Sequence, residues 1–189
     1  MSKPKEKQAN GNIFNDLWFG IIRFFRDNAG IRVGLAVTAV VISIINSDFL
    51  STQNLLNVLR QVSTNMFIAI GMTLVIILAG IDLSVGSIMA LAGVVTGGLI
   101  AFNGVPIWVA VFAGLLIGVI FGLINGYFTA YKFMPAFIVT LATMNIARGA
   151  AYVYTDGKPI RVMSDEFNFI GSGYVGLIPV PVIYMLVIV

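Results

Sequence analysis

Residues 71–87, GMTLVIILAGIDLSVGS, decide how this chain is read. An apolar run reaches Ala79, a Gly80-Ile81-Asp82 turn interrupts it, and a second apolar run begins at Leu83. No charged residue lies between Arg60 and Asp82, and none follows Asp82 until Lys132. An unpaired carboxylate in hydrocarbon is costly. Asp82 is therefore expected at a membrane boundary, at a helix cap or in the wall of a polar cavity. Each alternative places a chain break inside a multi-span membrane protein.

Composition agrees. The chain is 59% hydrophobic and 10% charged, with a mean hydropathy of +0.99, where soluble domains carry about 25% charge. With no Cys and no His, disulfides, thiolate metal sites and the commonest general base are excluded, and no metal is expected. The net charge of +3 comes from residues 1–32, where Lys3, Lys5, Lys7, Arg23, Arg26 and Arg32 outnumber Glu6, Asp16 and Asp27. That excess fits a cytoplasmic flank better than nucleic-acid binding, since no basic groove or motif accompanies it. The first long apolar run starts only after Arg32 and ends in no small-x-small site, so it reads as an anchor and not as a cleaved signal.

The expected fold is an all-α, polytopic helical bundle with a cytoplasmic N-terminus, about five complete transmembrane helices and the start of a sixth. Residues 1–32 form a cytoplasmic leader and 33–189 a transmembrane domain. Within the leader, 14–27 place Phe14, Leu17, Trp18, Ile21, Ile22 and Phe25 at helical spacing, which suits a helix in the membrane interface or one packed on protein. The spans are expected near 33–47, 61–81, 83–102, 106–130 and 135–154. The last four have the length to cross a core of about 30 Å; the first is short. A sixth run starts near Ile178, and the sequence is expected to stop inside that helix. Under the positive-inside rule the Asp82 turn and the Lys132 connection are cytoplasmic, and 155–177 is external.

Glycine spacing predicts helix contacts. Gly114, Gly118, Gly122 and Gly126 recur every four residues; Gly86, Ala90, Gly93 and Gly97 follow a similar stripe. Both allow close backbone approach, and the two stripes are expected to face each other.

Among the polar residues, Asp82, near Ser84 and Ser87, is expected to cap the helix that follows it, to line a cavity where that helix starts, or both. Arg148 lies within the fifth span, with Asn145 on the same face. It either snorkels to the external interface or lines a hydrophilic path. Ser63, Thr64, Asn65, Asn125, Thr140, Thr143 and Asn145 supply hydroxyls and amides. Such groups suit uncharged, hydroxylated solutes, or else join helices by hydrogen bonds. No Walker motif, HExxH or GxSxG occurs, so neither ATP binding nor catalysis is expected of this chain, and no catalytic residue is assigned.

The stretches NLLNVLRQVSTNMFIAIGMTLVIILAGIDLSVGSIMALAG (54–93) and MPAFIVTLATMNIARGAAYVYTDGKPI (134–160) closely resemble the permease subunits of bacterial ABC importers for monosaccharides, the ribose-type family. The resemblance extends from about residue 33 to 189. It implies a second permease subunit, in a homodimer or heterodimer, within the lipid bilayer. It also implies cytoplasmic ATP-binding subunits that use the ATP, and an extracytoplasmic sugar-binding protein. The family's characteristic elements map to Gly80, Ile81, Asp82, Leu83, Ser84, Val85 and Gly86, and to Arg148 and Gly149. Family members continue with further helices, including one that contacts the ATPase. A branched-chain amino-acid permease of the same superfamily is the near alternative. An ion-coupled transporter would usually need membrane-embedded carboxylates, and Asp82 alone could serve.

Overall fold

The structure, a computed structural model, describes residues 29–188. The amphipathic helix expected at 14–27 and most of the leader lie outside them. The chain divides into two units, one up to Leu55 and one from Leu56.

In the first unit, helix α1 spans Ala29–Ile45. Its hydroxyls turn back on the helix: Thr38 Oγ1 donates to Gly34 O (2.8 Å) and Ser43 Oγ to Ala39 O (2.7 Å). This satisfies polar groups that an apolar surrounding would leave unpaired. A tight turn follows, in which Asp48 N donates to Asn46 Oδ1 (2.9 Å) and Ser51 N to Asp48 O (3.0 Å). Ser51 Oγ then accepts from Asn54 N (3.2 Å), a side-chain cap on the next helix.

The second unit is built on α2 (Thr52–Ile77, whose first turn belongs to the first unit), α3 (Val85–Asn103), α4 (Ile107–Gly126) and α5 (Ala136–Thr155). These four helices, with α4 continued to Tyr131, are long and apolar enough to cross a membrane; α1, at 17 residues, is shorter. Four of the five expected spans thus have crossing length, and the first is the short one, as its sequence predicts. α2 begins nine residues before the expected start and ends four before the expected end. A short helix α6 (Asp165–Ser172), a two-stranded hairpin of β1 (Tyr174–Val175) and β2 (Ile178–Pro179), and α7 (Val180–Ile188) complete the unit. In the hairpin Tyr174 pairs with Pro179 and Val175 with Ile178. Neither α6 nor the hairpin is legible in the apolar pattern, because both are short and mixed in polarity.

Helix α3 is central and packs against both α4 and α5. The interior is not a hydrocarbon core. Ser63, Ser84, Ser87, Thr96, Asn125, Thr140 and Thr143 are buried alongside Leu91, Ala110, Val139, Ala147, Val180 and Val182, while most large aliphatic side chains face outward. In lipid, apolar burial does not drive helices together, so small residues and hydrogen bonds fill the contacts. One such bond runs from Thr96 Oγ1 on α3 to Ala110 O on α4 (3.2 Å).

The glycine stripes do not face each other as expected. Of the α4 set, only Gly114 meets α3: a Cβ there would collide with Thr96 Oγ1 and reach Ala92 O at 3.4 Å. Gly118, Gly122 and Gly126 face open space, as do Gly86 and Gly93. Gly97 faces Val162 and Ile160, and Gly98 faces the Tyr154 ring. The physical reason is register: four-residue spacing drifts around a helix of 3.6 residues per turn, so one stripe does not stay on one partner.

The connections sort to two ends. At one end, 78–84 and 126–136 line a common cavity. At the other, Arg60 donates to the Tyr174 hydroxyl, with its guanidinium 5.0 Å from the ring centroid. At that same end, Ile107 and Trp108 lie by Asp165 and Glu166, and Ile100 by Arg161.

Candidate functional site

The site is the interruption between α2 and α3. α2 ends in a motif that turns the chain sharply: Ala79 N donates to Ile76 O and Gly80 N to Val75 O, both at 2.9 Å. This hydrogen-bond pair requires a left-handed residue between them, and that residue is Ala79, at φ 55°. Gly80 follows because a Cβ there would lie 3.2 Å from Val75 Cγ1 and 3.3 Å from Val75 O. Residues 80–84 are then extended or irregular, and α3 starts at Val85.

Asp82 does not cap α3. The cap position belongs to Ser84, whose carbonyl accepts from Ser87 N (3.0 Å) and Ile88 N (2.9 Å). Asp82 Oδ1 instead accepts from Ser84 N (2.7 Å) and Ser84 Oγ (2.6 Å), closing a local turn two residues upstream of the helix. The expectation failed because an aspartate before an apolar run fits either geometry, and the serine two residues on decides between them.

Two other helices hold this turn. Asn125 Nδ2 of α4 donates to Ser84 Oγ (3.0 Å), and Thr140 Oγ1 of α5 lies 3.1 Å from Ile81 O, which it can reach as a donor alongside Ala136 O at 2.9 Å. Ser84 is fully buried, and Asn125 and Thr140 nearly so. α4 carries on six residues past Asn125, through a π-helical turn at Tyr127–Tyr131. Asn125 is thus recessed by more than one helical turn from the end of that span. Tyr127, Phe128 and Tyr131 cluster there, with Lys132 Nζ 5.7 Å from the Tyr127 ring centroid. Aromatic and cationic side chains of this kind mark a membrane–water interface. The polar turn therefore lies inside the apolar bundle, beneath its edge.

Two cavities open on it. One, of about 460 Å³, runs between α2, α3 and α4, with Gly71, Gly114 and Gly118 among its walls. The other, of about 350 Å³, lies between the turn, α4 and α5. Gly80, Asp82, Ser84, Asn125 and Thr140 are thus brought together. Asn65, Asn145 and Arg148 are not: all three are exposed, none lines either cavity, and Asn145 Nδ2 returns to Leu141 O (2.8 Å). Ser87 is buried, but its hydroxyl has no partner. The sequence reading missed Thr129, whose hydroxyl donates to Asn125 O (2.7 Å) from the second cavity's wall. It also missed the Arg60–Tyr174 link. A threonine near a helix end and a tyrosine in a loop carry no distinguishing sequence signal. Among the described residues no group of His, Cys, Asp and Glu could hold a metal ion.

Comparison with known proteins gives this site a setting. Residues 54–177 match the family described as branched-chain amino acid transport system / permease component. The chain is 45% identical over 160 residues to the ribose import permease protein RbsC of Haemophilus influenzae, covering 82% of this chain and 49% of that protein. It is 45% identical over 155 residues to its counterpart in Bacillus subtilis, covering 81% and 48%. It is 36% identical over 166 residues to the D-allose transport system permease protein AlsC of Escherichia coli, covering 87% and 51%. The chain spans about half the length of these relatives. No solved structure is significantly similar to it. Every residue of the polar turn and its supports falls within the matched segment, and the chain belongs to this permease family as a multi-pass inner-membrane protein.

Proposed function

We propose that this chain acts as the permease subunit of an ATP-driven importer for a ribose-like monosaccharide, in the cytoplasmic membrane. The observation that carries this reading is the 45% identity to ribose import permeases over a stretch that covers 82% of the chain. The buried hydroxyl and amide groups beneath the bundle edge support it, because they pair with uncharged, hydroxylated solutes without a fixed positive charge. The permease performs no bond chemistry. ATP is used by cytoplasmic ATP-binding subunits, a second permease subunit completes the path, and an extracytoplasmic binding protein delivers the sugar. In this reading the end carrying 78–84 and Lys132 faces the cytoplasm, and the end carrying Tyr174 faces outward.

A branched-chain amino acid is the second reading, favoured by the family's description. A zwitterion brings a carboxylate, and among the described residues no Lys or Arg lines either cavity to pair with it, while Asp82 lines both and repels it. Sugars fit better. An ion-coupled transporter is less supported again, since among the described residues Asp82 is the single carboxylate lining either cavity.

The test is co-expression with candidate ATP-binding subunits and measurement of labelled ribose uptake. Uptake that stops on ATP depletion and survives an ionophore supports the importer. Uptake that follows the ion gradient instead would sink it.

A further inference from the structure

The two cavities share four lining residues, Val75, Asp82, Gly122 and Asn125, which therefore form the wall between them. The hydrogen bonding of this wall has a direction. A carboxylate only accepts, so the single Ser84 hydroxyl hydrogen goes to Asp82 Oδ1 (2.6 Å). Ser84 Oγ can then only accept from Asn125, which must present its amide nitrogen (3.0 Å). That orientation leaves Asn125 Oδ1 buried with no partner among the described residues, on a residue 8% exposed. Nearby, Thr129 spends its hydrogen on Asn125 O, and Thr140 spends its own on Ala136 O or Ile81 O. The wall thus keeps two acceptors, Asn125 Oδ1 and the Asp82 carboxylate, beside the second Asn125 Nδ2 hydrogen, and a solute held by those acceptors must bring donors.

We infer that Asn125 Oδ1 and the Asp82 carboxylate accept hydroxyl hydrogens from a neutral polyhydroxylated solute held against the wall the two cavities share. This rests on the importer reading above. It goes further in naming the station and its selectivity. Hydroxyl groups supply the donors, whereas phosphates and carboxylates meet the Asp82 charge and are rejected. The Val75 side chain offers an apolar surface to one face of a sugar ring. Each cavity is of a size that holds a small solute.

The chain has no Cys, so a single introduced thiol reports alone. A side chain at Gly122 meets nothing within 4 Å. The full chain with Gly122→Cys, in lipid nanodiscs, is treated with a water-soluble methanethiosulfonate reagent. Leu123→Cys, exposed on the outer face of the same helix, is the lipid-side control. Gly122→Cys is expected to label and Leu123→Cys to resist. D-ribose is expected to slow Gly122→Cys labelling about threefold at two-thirds occupancy, and ribose 5-phosphate to leave it unchanged. Adding Asn125→Leu is expected to remove the protection. That variant also breaks the bond to Ser84, so the ribose against ribose 5-phosphate comparison, made with the polar residues intact, decides the matter by itself. Failure of Gly122→Cys to label, absence of ribose protection, equal protection by both sugars, or protection by sodium ions alone would each overturn the inference. If ATP-dependent ribose uptake holds while protection fails, this station is wrong and the importer reading stands.

Discussion

Replacing Ser84 with Ala removes one hydroxyl and strips the break of its central joint. The backbone bond from residue 84 to Asp82 survives. The Oγ to Asp82 bond (2.6 Å) and the Asn125 to Oγ bond (3.0 Å) do not. A hydrogen bond to a charged acceptor is worth about 1.5–3 kcal/mol and a neutral one about 1 kcal/mol. Asn125, whose Oδ1 already lacks a partner, would lose its amide partner too. Measured couplings between membrane helices are smaller, averaging about 0.6 kcal/mol with a maximum near 1.7. Weighing the full burial of Ser84 against that average, we expect a loss of about 2 kcal/mol. The assay is reversible unfolding in mixed micelles, for Ser84→Ala, Asn125→Leu and the double variant. The cycle should return a coupling of about 1 kcal/mol, because both single changes break the same bond. Ser84→Ala within about 0.5 kcal/mol of the parent, together with additive single effects, would refute the claim that this network ties α3 to α4.

Three further outcomes are expected. Gly114→Ala should destabilise by about 1–3 kcal/mol, since its Cβ collides with Thr96 and forces the Thr96–Ala110 bond to break, while Gly118→Ala, facing open space, should be near neutral; thermal unfolding of both separates them. Ala79→Gly should stabilise the break by about 1 kcal/mol by relieving a left-handed alanine at φ 55°, read as a higher melting temperature. Tyr174→Phe keeps the ring over Arg60 but loses the hydroxyl acceptor; it should cost about 1 kcal/mol and raise hydrogen exchange in the β1–β2 hairpin, whereas Tyr174→Ala should cost more.

The spans were legible because a hydrocarbon core selects on composition over some twenty residues, a property of local sequence alone. So was the break: Gly80 and Asp82 cannot sit within continuous apolar helix at low cost. Pro106 and Pro135 likewise precede the helices they were expected to open. Asn145 and Arg148 drew attention for the same local reason, polar groups in an apolar run, yet they face outward in the structure. Asn125 carried no stronger signal than Asn65, and only Asn125 reaches the turn. Local cost identifies a polar residue that needs a partner and says nothing about where that partner is.

Membrane class, the placing of the long apolar helices and the existence of a polar interruption thus follow from hydropathy and spacing, because backbone and charge must be satisfied segment by segment in lipid. The partners of that interruption follow only from packing. Asn125 is 41 residues from Ser84 and Thr140 is 59 from Ile81, and their meeting depends on the rotation of α4 and α5 about their own axes. That rotation is set by steric contacts such as Gly114 against Thr96, summed across whole helix faces, and no single window of sequence contains both sides of such a contact.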